Sequence, residues 1–250
     1  MGLPNGLILR AVWGGRVDPL ESQIAMVWEC MERLRSYGGF FTDPWLSLQT
    51  RPDDDEPITS FDELSTDMTA AYMRGDGLNY GYCQPAIQDG VDEVRVNRVL
   101  DTTLSYDEGW ERMAANNAVL MVEPGKKKGV ITLVPVEWLL GIGQSLVKDF
   151  VDIWQPDLVS LDSMELLDLK PARGNSRPVV GYFTWLSGSV VDPKVLPPTP
   201  VCESYKGGVL FGISPDSSDP VGDASFLARQ VYGSGVLRLI PFVQGQPNPV

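Results

Sequence analysis

TPVCESYKGGVLFGIS, residues 199–214, reads as two short strand-forming runs folded back across Lys206-Gly207-Gly208. β-Branched and aromatic residues fill both arms, and the glycines mark the turn, so the stretch predicts a β-hairpin. A hairpin makes its strands antiparallel, and this decides between fold classes. Upstream, PVVGYFTWLS (178–187) predicts another strand, and PKVLPPTP (193–200) a stiff connector. Downstream, Asp219-Pro220 opens a helix through Val231, and VLRLIPFV (236–243) predicts a last strand.

The rest of the chain mixes the same elements. LILRAVW (7–13) predicts a strand closed by Gly14-Gly15. Asp18-Pro19-Leu20-Glu21 carries the signature of a capped helix start, and Leu20, Ile24, Val27, Trp28, Met31 and Leu34 recur at helical spacing before Gly38-Gly39. Ser60 and Glu63 form a second capping box, followed by the stripe Phe61, Leu64, Met68, Ala71, Tyr72. NYGYCQ (79–84), EVRVNRVL (93–100), NAVLMVE (117–123) and VITLVP (130–135) predict strands. A helix is expected from Val136 to Trp154, stopped by Pro156, and a short one capped by Asp162-Ser-Met-Glu165. Mixed elements with frequent hairpins give an α+β fold, a mostly antiparallel sheet flanked by amphipathic helices. One domain over residues 1–250 is expected, with a weak division near 115–130.

Composition narrows the function. The chain has 250 residues, 43% of them hydrophobic, and no histidine. The missing imidazole removes Ser-His-Asp and Cys-His catalysis and the common zinc hydrolase motifs. Three separated cysteines, without a CxxC, suggest reduced buried thiols. No run of eighteen apolar residues and no secretory leader pattern are present, so a cytoplasmic, non-membrane protein is expected. The net charge of −13 disfavours nucleic acid and favours basic partners. Between residues 43 and 93, twelve acidic residues stand against Arg51 and Arg74.

The densest part is Asp53-Asp54-Asp55-Glu56, fenced by Pro52 and Pro57. A calcium loop needs carboxylates at alternate positions and a glycine at the turn, and neither occurs. Paired-carboxylate catalysis needs a spacing held inside a cleft. A solvated loop and a docking surface remain as readings of this run. Glu21, Glu63 and Glu165 are explained by helix capping. GKKKG (125–129) reads as a hairpin tip, and no GxGxxG or GxxxxGK[ST] phosphate loop is present. No cofactor, metal ligand set or catalytic residue is nominated.

The order of landmarks carries a resemblance. Trp13-Gly14-Gly15-Arg16 is followed by a capped helix and Asp43-Pro44-Trp45. Then come Pro135-Val-Glu-Trp138, Trp154-Gln-Pro-Asp157, Val180-Gly-Tyr-Phe-Thr-Trp-Leu-Ser187 and the GGVLFGIS strand. In this order the chain resembles the immunity protein 52 family of bacterial polymorphic-toxin systems. The resemblance implies an antidote rather than an enzyme. Its partner would be a toxin encoded by the adjacent gene, often delivered by type VI secretion, and of restriction-endonuclease-like nuclease type. The acidic run is no part of the resemblance, yet a nuclease presents a positive surface that such a run complements. The expected contacts are Asp53, Asp54, Asp55, Glu56, Asp62, Glu63, Asp67 and Trp45. Two other readings stay open: a carboxylate- or metal-dependent hydrolase, and a structural adaptor.

Overall fold

A computed structural model of the chain describes residues 4, 6–14, 18–42, 45–47, 57–74, 79–83, 100–107, 116–124, 136–170 and 178–240. The strands are β1 (Leu7–Trp13), β2 (Trp45–Ser47), β3 (Pro57–Ile58), β4 (Asn79–Cys83) and β5 (Leu100–Asp107). They continue as β6 (Asn116–Pro124), β7 (Leu158–Asp162), β8 (Phe183–Ser187), β9 (Val201–Tyr205) and β10 (Gly208–Gly212). All ten join one sheet in the order β3-β2-β4-β5-β6-β1-β7-β8-β10-β9. Every strand pairing in it is antiparallel. The fold is α+β.

The hairpin at 201–212 has the expected form. β9 and β10 pair with Tyr205 opposite Gly208, leaving Lys206 and Gly207 as a two-residue loop. Both loop residues have positive φ, 46° and 74°, the twist-matched turn that joins adjacent strands most tightly.

β1 lies between β6 and β7 in the interior of the sheet. Six of its seven residues are buried, and Arg10 is the exception. β7 and β10 are buried throughout. Such strands read as continuous apolar runs because both faces are covered. The helices are α1 (Leu20–Ser36), α2 (Phe61–Arg74), α3 (Val136–Gly141), α4 (Gly143–Trp154), α5 (Met164–Leu167) and α6 (Pro220–Ser234). α4 packs on β1, β7 and β8 and against α1, while α2 packs on α1. β6 pairs on both sides, with β5 and with β1, so the sheet runs through residues 116–124.

Several local expectations are corrected. The helix expected over Val136–Trp154 breaks at Ile142, between Gly141 and Gly143. Gly143 approaches the sheet so closely that a Cβ would sit 2.6 Å from the Phe183 ring. α1 begins after Pro19 without a side-chain cap, so the box at Asp18 and Glu21 does not form. The Asp18 carbonyl instead accepts the Gln23 side-chain amide at 2.7 Å. Asp162 ends β7, and Ser163 precedes α5 without a side-chain cap. Of 178–187 only Phe183–Ser187 is strand, and of 236–243 only a Val191–Leu237 bridge is seen among the described residues. β5 was not anticipated beyond Leu100, because LDTTLSYD carries few large apolar residues. The strand expected at 130–135, most of that at 93–100, and the GKKKG tip lie outside the described residues.

Gly181 marks a second close approach. A Cβ there would fall 2.1 Å from the Leu161 carbonyl oxygen, which accepts the Tyr182 amide at 2.7 Å. Backbone cannot rotate away as a side chain can. Gly181→Ala is therefore expected to cost about 1–3 kcal/mol. Urea denaturation would measure it, and an unchanged midpoint would contradict the packing.

Candidate functional site

Two surfaces have the geometry to engage another molecule: the outer face of α2, and a cleft at the C-terminal end of α4.

α2 is set by its first turn. The Ser60 hydroxyl accepts the Glu63 amide at 3.3 Å, and Glu63 Oε2 accepts the Ser60 and Thr59 amides at 3.0 and 2.7 Å. These bonds hold the Glu63 carboxyl below its ordinary pKa, the Thr59 bonds foremost. The predicted capping box is thus present, and Glu63 has a structural task. Asp67 accepts the Ser47 hydroxyl at 3.0 Å, tying α2 to β2. Asp62 is exposed in the first turn, where the helix's positive end favours a carboxylate.

Leu64, Met68 and Ala71 point into the core. Phe61 and Tyr72, expected on that stripe, are instead 43% and 49% exposed, and Met73 is 79% exposed. Phe61 stands edge-on to Trp28, with ring centroids 6.3 Å apart. α2 therefore exposes Phe61 next to Asp62 in its first turn, and Tyr72 and Met73 in its last.

Trp45 is a correction. It was placed among the contacts, but its indole is fully buried. β2 pairs between β3 and β4, and this draws the ring into the core. Phe41 is buried too. Asp53, Asp54, Asp55 and Glu56, with Asp43, Pro44 and Trp110, lie outside the described residues.

The second surface was not anticipated as a site, although it adjoins sequence landmarks in the chain. Trp13 and Trp154 stack with centroids 5.9 Å apart and planes 10° off parallel. Asp157 joins the segments around them. Its carboxylate accepts the Gly14 amide at 3.1 Å and the Ser189 hydroxyl at 3.1 Å. Its backbone donates to Val12 and accepts from Ser187. Gln155 and Pro156, which follow Trp154 in the chain, line a cleft of about 400 Å³ together with Val151, Asp152, Trp185, Ser187 and Lys206.

Charged groups surround the cleft. Asp152 accepts the Tyr205 hydroxyl at 3.0 Å and lies 3.6 Å from Lys206 Nζ. Burial and the Asp152 bond push the Tyr205 phenol up to about 12. Arg33 pairs with Asp149 at 2.6 Å, and Lys148 with Glu203 at 2.7 Å. Trp185 donates its indole N–H to the Tyr205 carbonyl at 2.8 Å. Among the described residues no group of three potential metal ligands comes together. The cleft can bind and orient a charged group.

One charged pair lies in the sheet itself. Arg10 Nε donates to Asp162 Oδ2 at 3.1 Å, and Ser160 donates to the same oxygen at 2.9 Å. Asp162 is fully buried, while Arg10 keeps 20% of its side chain exposed. Burial pushes the Asp162 carboxyl up to about 6, against the pull of Arg10 and Ser160. The signal was present in LILRAVW and LVSLD: each interrupts an apolar strand with one charge.

No helix among the described residues is long and apolar enough to cross a membrane. No family model matches the chain, and no curated protein matches it. Among solved structures it is similar to Pseudomonas aeruginosa T6SS protein PA0821. The identity is 13%, the match covers 92% of this chain and 75% of that one, and the TM-score is 0.45.

Proposed function

We propose that this chain is an immunity protein, which binds a toxin encoded by the adjacent gene and neutralises it by direct contact. The toxin is a nuclease with a basic surface, often of the kind delivered by type VI secretion, and the meeting takes place in the cytoplasm of the producing cell. The observation that carries the reading is the outer face of α2. There Phe61 and Asp62 stand exposed at the first turn, and Tyr72 and Met73 at the last. Exposed aromatic and methionine side chains serve as interface anchors, and charge at the rim sets encounter and partner choice. The acidic excess of residues 43–93 surrounds this helix in the sequence. A surface that grips phosphate is complementary to it. The resemblance to immunity protein 52 supports the same reading. Its landmarks Trp13, Trp154, Asp157 and Ser187 meet in one packed unit.

The roles divide by chemistry. The apolar side chains supply affinity. Asp62 and the run Asp53 to Glu56 supply steering, which salt screens. Glu63 and Asp67 hold α2 in place. The test co-expresses the chain with its neighbour's product and follows both growth and co-purification. Tyr72→Ala with Met73→Ala is expected to weaken binding about 10- to 100-fold. Asp53, Asp54, Asp55 and Glu56 reversed to lysine should slow association and flatten its salt dependence. Full protection and unchanged affinity in both variants would remove this face from the interface.

A further inference from the structure

We propose that the outer edge of β9 pairs with β9 of a second copy of this chain, antiparallel and across a two-fold axis at Glu203. The proposal concerns a different surface from α2 and does not depend on that reading.

The hairpin fixes which backbone groups are open. On either side of β10, the Gly207 carbonyl accepts the Gly188 amide and the Ile213 amide donates to the Tyr182 carbonyl. The odd-numbered residues there therefore turn their backbone groups toward β8. Hydrogen bonding alternates along an antiparallel strand. Gly208, Leu210 and Gly212 thus turn toward β9, where they stand opposite Tyr205, Glu203 and Val201. This leaves the N–H and C=O groups of Cys202 and Ser204 pointing away from the sheet. β9 is the last strand of that sheet among the described residues.

The ends of the strand limit what fits. Pro200 precedes β9 and has no amide to donate. Lys206 follows it with φ 46°, already in the turn. Cys202 placed opposite Ser204 of the partner subunit gives every open group on both strands a partner. A slip must move two residues to keep the faces matched. Slipped one way, Ser204 meets Pro200 of the partner subunit. Slipped the other way, Cys202 meets Lys206 of the partner subunit, in its turn. Either slip loses bonds. The register that remains maps onto itself by two-fold rotation, as an isologous interface requires.

The side chains agree with this pairing. Cys202 and Ser204 are exposed and small, so nothing bulky on their face obstructs a second strand. Within β9 there is no proline or lysine, the residues that guard open edges. The opposite edge is guarded, since β3 is two residues long and carries Pro57. On the other face, Glu203 meets Glu203 of the partner subunit, and like charges so placed repel. Lys148 answers that repulsion. Its ammonium lies 2.7 Å from Glu203 and 5.4 Å from the centre of the Tyr205 ring. Two lysines and two glutamates then form a neutral cluster. A foreign strand would have to match both the short open length and this charge balance. A second copy supplies both by symmetry.

The test is sedimentation velocity of the purified full chain over a wide concentration range. Monomer should pass to dimer with a Kd of about 10–100 μM, the strength of a small polar interface. Ser204→Pro removes one outward amide and should abolish the dimer. Lys148→Ala should weaken it several-fold, and adding Glu203→Gln should restore it. If Ser204→Pro unfolds, Ser204→Cys decides. Under mild oxidation its new thiol should join Cys202 of the partner subunit, because opposed Cα atoms of such a pair lie about 5.5 Å apart, within disulfide reach. Peptide mapping would locate the link. A chain that stays monomeric throughout, a dimer that survives Ser204→Pro, or no link between positions 202 and 204 would overturn the proposal. Ser204→Pro leaves α2 untouched and should still bind the toxin, so either reading can fail alone.

Discussion

Arg10→Met is expected to destabilise the fold by about 3–5 kcal/mol, among the largest effects of any single change. The residue looks peripheral, with part of its guanidinium in solvent. Its partner is not: Asp162 is fully buried between β1 and β8. Removing the arginine strands a carboxylate that keeps, among the described residues, the Ser160 hydroxyl bond and the more distant charge of Lys170. The pair itself need not be strongly stabilising, because desolvating both charges offsets most of their attraction. Arg10→Met combined with Asp162→Leu should therefore recover much of the loss. pH separates this account from simple packing loss. Asp162 titrates near 3.8 when unfolded and at about 6 when folded. Across that window the native state holds a proton that the unfolded state has released. The group's contribution thus falls as pH rises, contrary to the usual carboxylate. Without Arg10 the folded value moves higher still. The deficit of Arg10→Met, read from urea midpoints, should be smaller at pH 5 than at pH 7. A deficit independent of pH, or one below about 1 kcal/mol, would contradict the buried-charge account.

Trp13→Ala is expected to cost about 3–5 kcal/mol by the cavity it leaves. Trp13 ends β1 and stacks on Trp154 at the end of α4, where Phe150 meets the same ring edge-on at 6.4 Å. The two tryptophans thus join strand and helix. Trp154→Ala should cost as much, and the double variant less than the sum, because each single change already breaks the stack. Full additivity in thermal or urea unfolding would show that the rings act independently.

Much of this was legible from the sequence. The hairpin at 201–212, the capping box at Ser60 and Glu63, and the apolar strand at 7–13 were local signals, and local chemistry decided them. The misses came where tertiary contact prevailed. Ile142 breaks a helical pattern because Gly143 must reach Phe183. Asp162 resembled a helix cap, yet β7 draws it into the sheet to meet Arg10, 152 residues away in the chain. Trp45 read as a loop anchor and is buried, since three residues of strand pairing suffice to turn it inward. Of the anticipated contacts, Asp62 stands exposed, Glu63 and Asp67 are engaged in holding α2, and Asp53 to Glu56 lie outside the described residues. The cleft was invisible because its carboxylate, lysine and walls come from α4, β8 and the β9–β10 turn, segments that no spacing rule links.

The central claim is that this acidic chain is an antidote acting by direct contact. Calorimetric titration of the purified protein with the purified product of the adjacent gene tests it, repeated at low and high salt. The account predicts a one-to-one complex of about nanomolar affinity that weakens as salt rises, with the toxin's activity lost at equivalence. Failure to bind, or binding that leaves the toxin fully active, would contradict it.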